Sequence, residues 1–125
     1  LDSIVEIWRQ FHSKFLALWE SQNESALILN GYLSEQELKE YRAQFMLNIF
    51  QESIGFAACS IARRTAGIAG VPDIRGIEDE GKRSQLEITN LKLSKLLMSN
   101  YEKLQTIDEL RDLLVAFYSE QSYEF

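Results

Sequence analysis

Arg63 and Arg64 stand side by side in a run that is otherwise small and apolar, Gly55-Phe-Ala-Ala-Cys-Ser-Ile-Ala-Arg-Arg-Thr-Ala-Gly-Ile-Ala-Gly-Val-Pro-Asp-Ile74. Small residues let neighbouring backbones approach, so a charge among them must be paired or must face a pocket. Adjacent helical residues point about 100° apart, so the two guanidiniums cannot face one direction. Two readings stand. In the first, one arginine pairs with a carboxylate on a neighbouring helix and the other is solvated. In the second, a forked donor is aimed at a sugar hydroxyl or a phosphoryl oxygen, which suits planar guanidinium geometry.

The remaining candidates carry less chemistry. Asp73, Glu78, Asp79 and Glu80 are oxygen donors of the kind magnesium takes, but a carboxylate cluster beside Arg75, Lys82 and Arg83 reads as a helix start with capping and ion pairing. Arg83 and Glu87 are spaced for an exposed pair on one helix face. His12 is the lone histidine. It has no second nitrogen or sulfur ligand at metal spacing and no orienting partner for base catalysis, so it reads as boundary packing. Cys59, among alanines, reads as buried, inert packing. Trp8, Phe11, Phe15 and Trp19 recur at helical spacing, which is the pattern of a core stripe. No Gly-rich phosphate loop and no kinase catalytic loop occurs. The segment is therefore expected to hold no catalytic residue, no metal ligand and no nucleotide site of its own.

The elements that must position the arginines are helices. Ser3 with Glu6 has capping-box spacing, and behind it Ile4, Trp8, Phe11, Phe15, Leu18 and Trp19 form a stripe over about 3–21. A connection comes next, from Asn23 to Leu33, with the turn pair Asn30-Gly31. Ser34 with Glu37 repeats the box and opens a second helix through Leu38, Tyr41, Phe45 and Ile49 to the neighbourhood of Ser53. A third helix over Gly55 to Ala69 carries the arginines, either continuous with the second or kinked at Gly55. Pro72 blocks its extension and biases Val71 to extended geometry. The acidic cluster then starts a long helix with Leu86, Leu93, Leu96, Leu97 and Tyr101. Thr106 with Glu109 caps a last one, carrying Ile107, Leu110, Leu114 and Phe117, and Ser119 begins a frayed tail. No stretch alternates as a strand would. The expected fold class is all-α, an array of four to five helices resembling a bundle, in one helical domain over residues 1–125.

Composition bounds the function. The chain has 125 residues, is 46% hydrophobic and carries a formal net charge of −6. That length suits one domain with a core, and the acidity argues against a nucleic-acid surface. A single cysteine fits a reducing compartment. No run of membrane-spanning length and no signal-peptide pattern is apparent, so no membrane partner and a cytoplasmic setting are expected. A start at Leu1, almost directly in helical pattern, reads as a piece of something longer.

The segment from Glu52 to Ile74, with Ile77-Glu-Asp79, Arg83 and Glu87 behind it and Phe15-Leu-Ala-Leu-Trp19 before it, resembles the C-terminal part of methylthioribose kinase. That family is similar to aminoglycoside phosphotransferases and choline kinases. The resemblance implies the C-terminal helical part of a protein-kinase-like C-lobe. It also implies an ATP- and magnesium-dependent phosphorylation of the 1-hydroxyl of 5-methylthioribose in methionine salvage. Arg63 and Arg64 match twin arginines associated with the sugar in that family. The catalytic aspartate, metal motif and nucleotide loop would lie outside this segment, with ATP and Mg. The implied partners are the small-molecule sugar and the rest of the kinase chain, and the oligomeric state, homodimer or not, stays open. One position departs from the pattern: Gly70 stands where the family usually has histidine, which leaves room for an altered substrate. Two other functions compete, a related kinase acting on another small molecule and a non-enzymatic helical interaction module.

Overall fold

The computed structural model describes residues 1–21, 31–68 and 70–121. Among them are five α-helices and no strand: α1 Asp2–Ser21, α2 Glu35–Ala66, α3 Pro72–Arg75, α4 Glu80–Asn100 and α5 Ile107–Glu120, with a 3₁₀ turn at Tyr101–Lys103. The all-α expectation is borne out. The chain divides into two compact units, Leu1–Ile49 and Phe50–Phe125.

In the first unit, α1 lays an aromatic ladder along one side. Successive rings of Trp8, Phe11, Phe15 and Trp19 lie 5.6, 5.6 and 5.8 Å apart. Two of them meet α2: Trp19 sits edge-on to Phe45 at 5.0 Å and to Tyr41 at 6.0 Å, while Phe15 stacks on Phe45 at 6.2 Å. Such pairs contribute about 0.5–1.5 kcal/mol each beyond their buried area. The packed face differs from the expected stripe by about one position. Val5 is buried and Trp8, His12, Phe15, Leu16 and Trp19 are half-buried, whereas Ile4 and Leu18 are exposed. Both sets share Trp8, Phe15 and Trp19, so apolar periodicity alone does not choose between them. The neighbours do. His12 is half-buried with its ring 6.0 Å from Trp8, in keeping with packing.

The Ser3–Glu6 capping box does not form, because α1 already begins at Asp2 and Ser3 lies inside it. The Leu1 carbonyl accepts from the N–H groups of Ile4 and Val5 instead. At the second start the box is complete: Ser34 N–H donates to Glu37 Oε2 at 2.8 Å and Glu37 N–H donates to Ser34 Oγ at 3.3 Å. The Ser34 backbone N–H, and after it the Ser34 hydroxyl, hold the Glu37 carboxyl below its ordinary value. The connection expected over Asn23–Leu33 lies outside the described residues as far as position 30. At its end Gly31 has φ 83°, the left-handed region that glycine enters without strain.

α2 is one helix of 32 residues, so the second and third expected helices are continuous. On length and composition alone it is apolar enough to cross a membrane, against the expectation that no run is long enough. A core helix meets the same test, and Met46, Phe50, Ile54 and Ala58 of α2 are buried, although only 22% of the apolar stretch is.

The second unit is organised around the C-terminal half of α2. Its core contains Phe50, Ile54 and Ala58 of α2, Ile74 of α3, Leu93 and Leu97 of α4, Leu104, and Ile107, Leu110, Leu114 and Phe117 of α5. The four α5 residues are those its sequence period singles out. Small residues on α2 allow close approach, as expected from the Ala/Gly/Ser composition. Ala58 is fully buried, and the Ser94 hydroxyl of α4 donates to its carbonyl at 2.8 Å. At Gly55 the Tyr101 ring packs against backbone, 3.4 Å from where a Cβ would stand. Gln51 reaches from α2 to the turn after α4, donating to the carbonyls of Glu102 at 2.9 Å and Leu104 at 3.0 Å. That turn thereby gains partners for backbone groups no regular element satisfies.

The later helix starts also depend on side chains. Asp79 caps α4 by accepting from Lys82 N–H at 3.0 Å, so this part of the acidic cluster serves as a helix start. Thr106 caps α5 through Glu109 N–H at 3.2 Å, while the Glu109 carboxylate reaches past it to Gln105 N–H at 2.7 Å. Val71 is extended, as the proline after it demands. Pro72 does more than block a helix: it opens the four-residue α3, which the sequence pattern does not mark. The tail expected from Ser119 is helical to Glu120, and residues 122–125 lie outside the described residues.

Candidate functional site at the C-terminal end of the second helix

Arg63 and Arg64 occupy the last turn of α2. Cations are favoured there because the final carbonyls of a helix carry partial negative charge, an interaction of about 0.3–1 kcal/mol. Both residues are exposed, and among the described residues no hydrogen bond or ion pair holds either guanidinium. The first reading of the pair, with one arginine tied to a carboxylate of a neighbouring helix, is thus not what the structure presents. Two forked donors remain uncommitted. Arg63 shares its face of α2 with Cys59, Ser60 and Phe56, the last 77% exposed. Cys59 is exposed and free, which corrects the expectation of a buried packing cysteine. It lies on the outward side of α2, opposite the face that carries Ile54 and Ala58 into the core.

The backbone just beyond the arginines is held tightly. α2 stops at Ala66, and Gly67 N–H still donates to the Arg63 carbonyl at 2.9 Å. A Cβ at Gly67 would collide with that carbonyl oxygen, so glycine permits the exit path. Arg75, on α3, then reaches back. Its Nη2 donates to the carbonyls of Gly67 at 3.1 Å and Ile68 at 2.9 Å. Sequence reasoning placed Arg75 among ion-pairing partners of the acidic cluster. The structure gives it backbone carbonyls instead, which a residue type and a spacing cannot reveal. Arg83 behaves similarly, donating to the Ile77 carbonyl at 3.3 Å, and the expected pair with Glu87 does not form.

Gly70 lies under the Arg75 guanidinium. A Cβ built there would meet Nε, Cζ and Nη2 of that side chain. At Gly70 the volume a side chain would use is thus filled by Arg75. Among the described residues no group of three His, Cys, Asp or Glu side chains is arranged to hold a metal. A separate groove of about 500 Å³, lined by Ser84, Gln85, Thr89, Lys92 and Glu120 among others, contains neither arginine.

Among the known proteins that this chain matches are several named methylthioribose kinase. The chain is 31% identical over 113 residues to methylthioribose kinase 2 of Oryza sativa subsp. japonica, covering 88% of this chain and 26% of that protein. It is 34% identical over 110 residues to a methylthioribose kinase of Geobacillus sp. strain WCH70, and 30% identical over 111 residues to one of Erwinia tasmaniensis, with the same two coverages. The resemblance to methylthioribose kinase is borne out, and the chain spans about a quarter of the length of these relatives. No family model matches the chain. No solved structure matches it either.

Proposed function

We propose that this chain is the C-terminal helical part of an ATP-dependent small-molecule kinase. Its substrate would be the 1-hydroxyl of 5-methylthioribose, and Arg63 and Arg64 would wall the sugar pocket. The observation that carries the reading is the similarity to methylthioribose kinases along 88% of the chain. The two uncommitted guanidiniums support it, since phosphoryl transfer depends on positioning the acceptor and neutralising charge on the transferred group. A guanidinium supplies both, as a planar donor fork to sugar hydroxyls and as a fixed positive charge. ATP and magnesium would be bound outside this segment, where they supply the phosphoryl group and its charge neutralisation. The residues of this segment would hold the sugar and shape its pocket. As a methionine-salvage enzyme it would work in the cytoplasm.

The test is a kinase assay of the intact protein with methylthioribose and ATP, beside other pentoses and amino alcohols. Transfer to methylthioribose, weakened by Arg63→Ala or Arg64→Ala, is the expected result. Preference for a different acceptor would favour a related kinase, and no transfer at all would sink the reading.

A further inference from the structure

Two hydrogen bonds run in series from the twin-arginine turn to α3. The Arg63 carbonyl accepts from Gly67 N–H at 2.9 Å, and the Gly67 carbonyl accepts from Arg75 Nη2 at 3.1 Å. The same nitrogen holds the Ile68 carbonyl at 2.9 Å. These are carbonyls of a helix exit, which have no intrahelical partner. Arg75 is itself well anchored. Its backbone N–H donates to the Val71 carbonyl at 3.0 Å, and the preceding Ile74 is buried. The guanidinium, exposed but held by two carbonyls, is therefore the end of a short strut from α3 to the exit of α2. The strut has a seat, because any side chain at Gly70 would occupy the place of Nε, Cζ and Nη2.

We infer that Arg75 is a positioning residue for Arg63 and Arg64, and that Gly70 is required to seat it. An exposed arginine has many rotamers, and a helix end frays readily. Two arginines on a frayed last turn would sample many directions. Fixing the carbonyls just beyond that turn narrows the directions available to both donors, which is pre-organisation of a binding surface. Substitution of Arg75 or of Gly70 removes the same contact, so the two positions act as a pair.

The inference rests on the sugar-pocket reading for its functional consequence, but not for its structural one, and two measurements on the intact protein separate them. Amide hydrogen exchange at Gly67 reads the strut directly. Arg75→Ala and Gly70→Ala should each accelerate it about tenfold, and the double variant should be no faster than either, since one contact is lost in all three. Arg75→Lys keeps the charge without the planar fork and should fall between wild type and Arg75→Ala. In the kinase assay, Arg75→Ala and Gly70→Ala should raise the KM for the sugar while leaving the KM for ATP unchanged. Exchange at Gly67 that ignores Arg75, or effects of the two single variants that add in the double, overturns the inference even if the enzyme is active. An equal rise in both KM values together with a lower Tm overturns the positioning role, since general loosening of the fold would do that. If the wild-type protein transfers no phosphoryl group, the sugar reading fails, and the exchange result still decides on the strut.

Discussion

The hydroxyl of Ser94 on α4 donates to the carbonyl of Ala58 on α2 across 2.8 Å, with both residues buried. The helix that carries the arginines is thus packed closely enough for a side chain of one helix to reach the backbone of the other. That closeness depends on Ala58 being no larger. Ser94→Ala should destabilise the protein by about 1 kcal/mol, near the lower end because the carbonyl already serves the helix ladder. Ala58→Leu should cost more, about 1–3 kcal/mol, by forcing a wedge between the helices. Urea denaturation of both variants checks the order. A smaller loss for Ala58→Leu than for Ser94→Ala would contradict the packing described.

Gly55 offers the opposite sign. It lies inside α2, where glycine is less favourable than alanine by roughly 0.5–1 kcal/mol. A Cβ there would stand 3.4 Å from the Tyr101 ring, an ordinary van der Waals contact. Gly55→Ala is therefore expected to raise the Tm, and Gly55→Val to lower it by pushing the ring away. Thermal melts of the two variants decide the matter, and a loss of stability in Gly55→Ala would mean the ring tolerates nothing beneath it.

The Ser34–Glu37 box makes the start of α2 sensitive to acid. Glu37 has its carboxyl lowered in the folded protein, first by the Ser34 N–H and then by the Ser34 hydroxyl. A depressed carboxyl contributes stability above its unfolded pKa and loses it as pH falls through the folded value. Amide exchange at the first turn of α2 should therefore quicken, beyond the intrinsic pH trend, as the pH drops below the ordinary carboxylate range. Glu37→Gln should remove that extra dependence. An unchanged pH profile in the variant would show that another group is responsible.

Tyr101 gives the alkaline counterpart. Its hydroxyl donates to Glu102 Oε1 at 2.8 Å, and that bond, reinforced by the charge of Glu102, raises the phenol above its ordinary value. A raised acid contributes stability that is present below the unfolded pKa and lost as pH rises through the folded one. Ultraviolet titration should show a late-ionising tyrosine whose midpoint falls in Glu102→Gln. No shift between the two proteins would remove Glu102 as the cause.

Arg63→Ala and Arg64→Ala test the proposed site in the intact enzyme. Neither guanidinium has a partner among the described residues, so each substitution should alter stability by no more than about 0.5 kcal/mol. At least one should cut kcat/KM for the sugar about tenfold or more, the expected loss for a charge-assisted donor to substrate. Wild-type kinetics in both variants would leave the arginines without a role in the reaction.

Much of the fold is legible in the chain. Local side-chain to backbone bonds act over three or four residues, so Ser34 with Glu37, the cluster Glu78-Asp79-Glu80, and Thr106 with Glu109 mark three helix starts that the structure contains, with Asp79 as the cap of the second. The stripe Ile107, Leu110, Leu114 and Phe117 is buried as its spacing requires. The box at Ser3 and Glu6 misleads because the same spacing occurs inside a helix that begins one residue earlier. The twin arginines were also legible as candidates, since two charges in a small apolar run stand out from their surroundings.

The sequence by itself determined the helical class, most helix starts and the residues that could carry chemistry, because capping, turn geometry and apolar period are local properties of the chain. Only the tertiary structure decided which face of α1 is packed, that Cys59 looks outward, and that Arg63 and Arg64 go unpaired among the described residues. It alone decided that Arg75 answers the carbonyls of Gly67 and Ile68 rather than a carboxylate, with Gly70 making room. Those outcomes depend on which groups meet across distant positions. A backbone carbonyl can hold a guanidinium where no carboxylate is in reach, and it leaves no mark in the residue types.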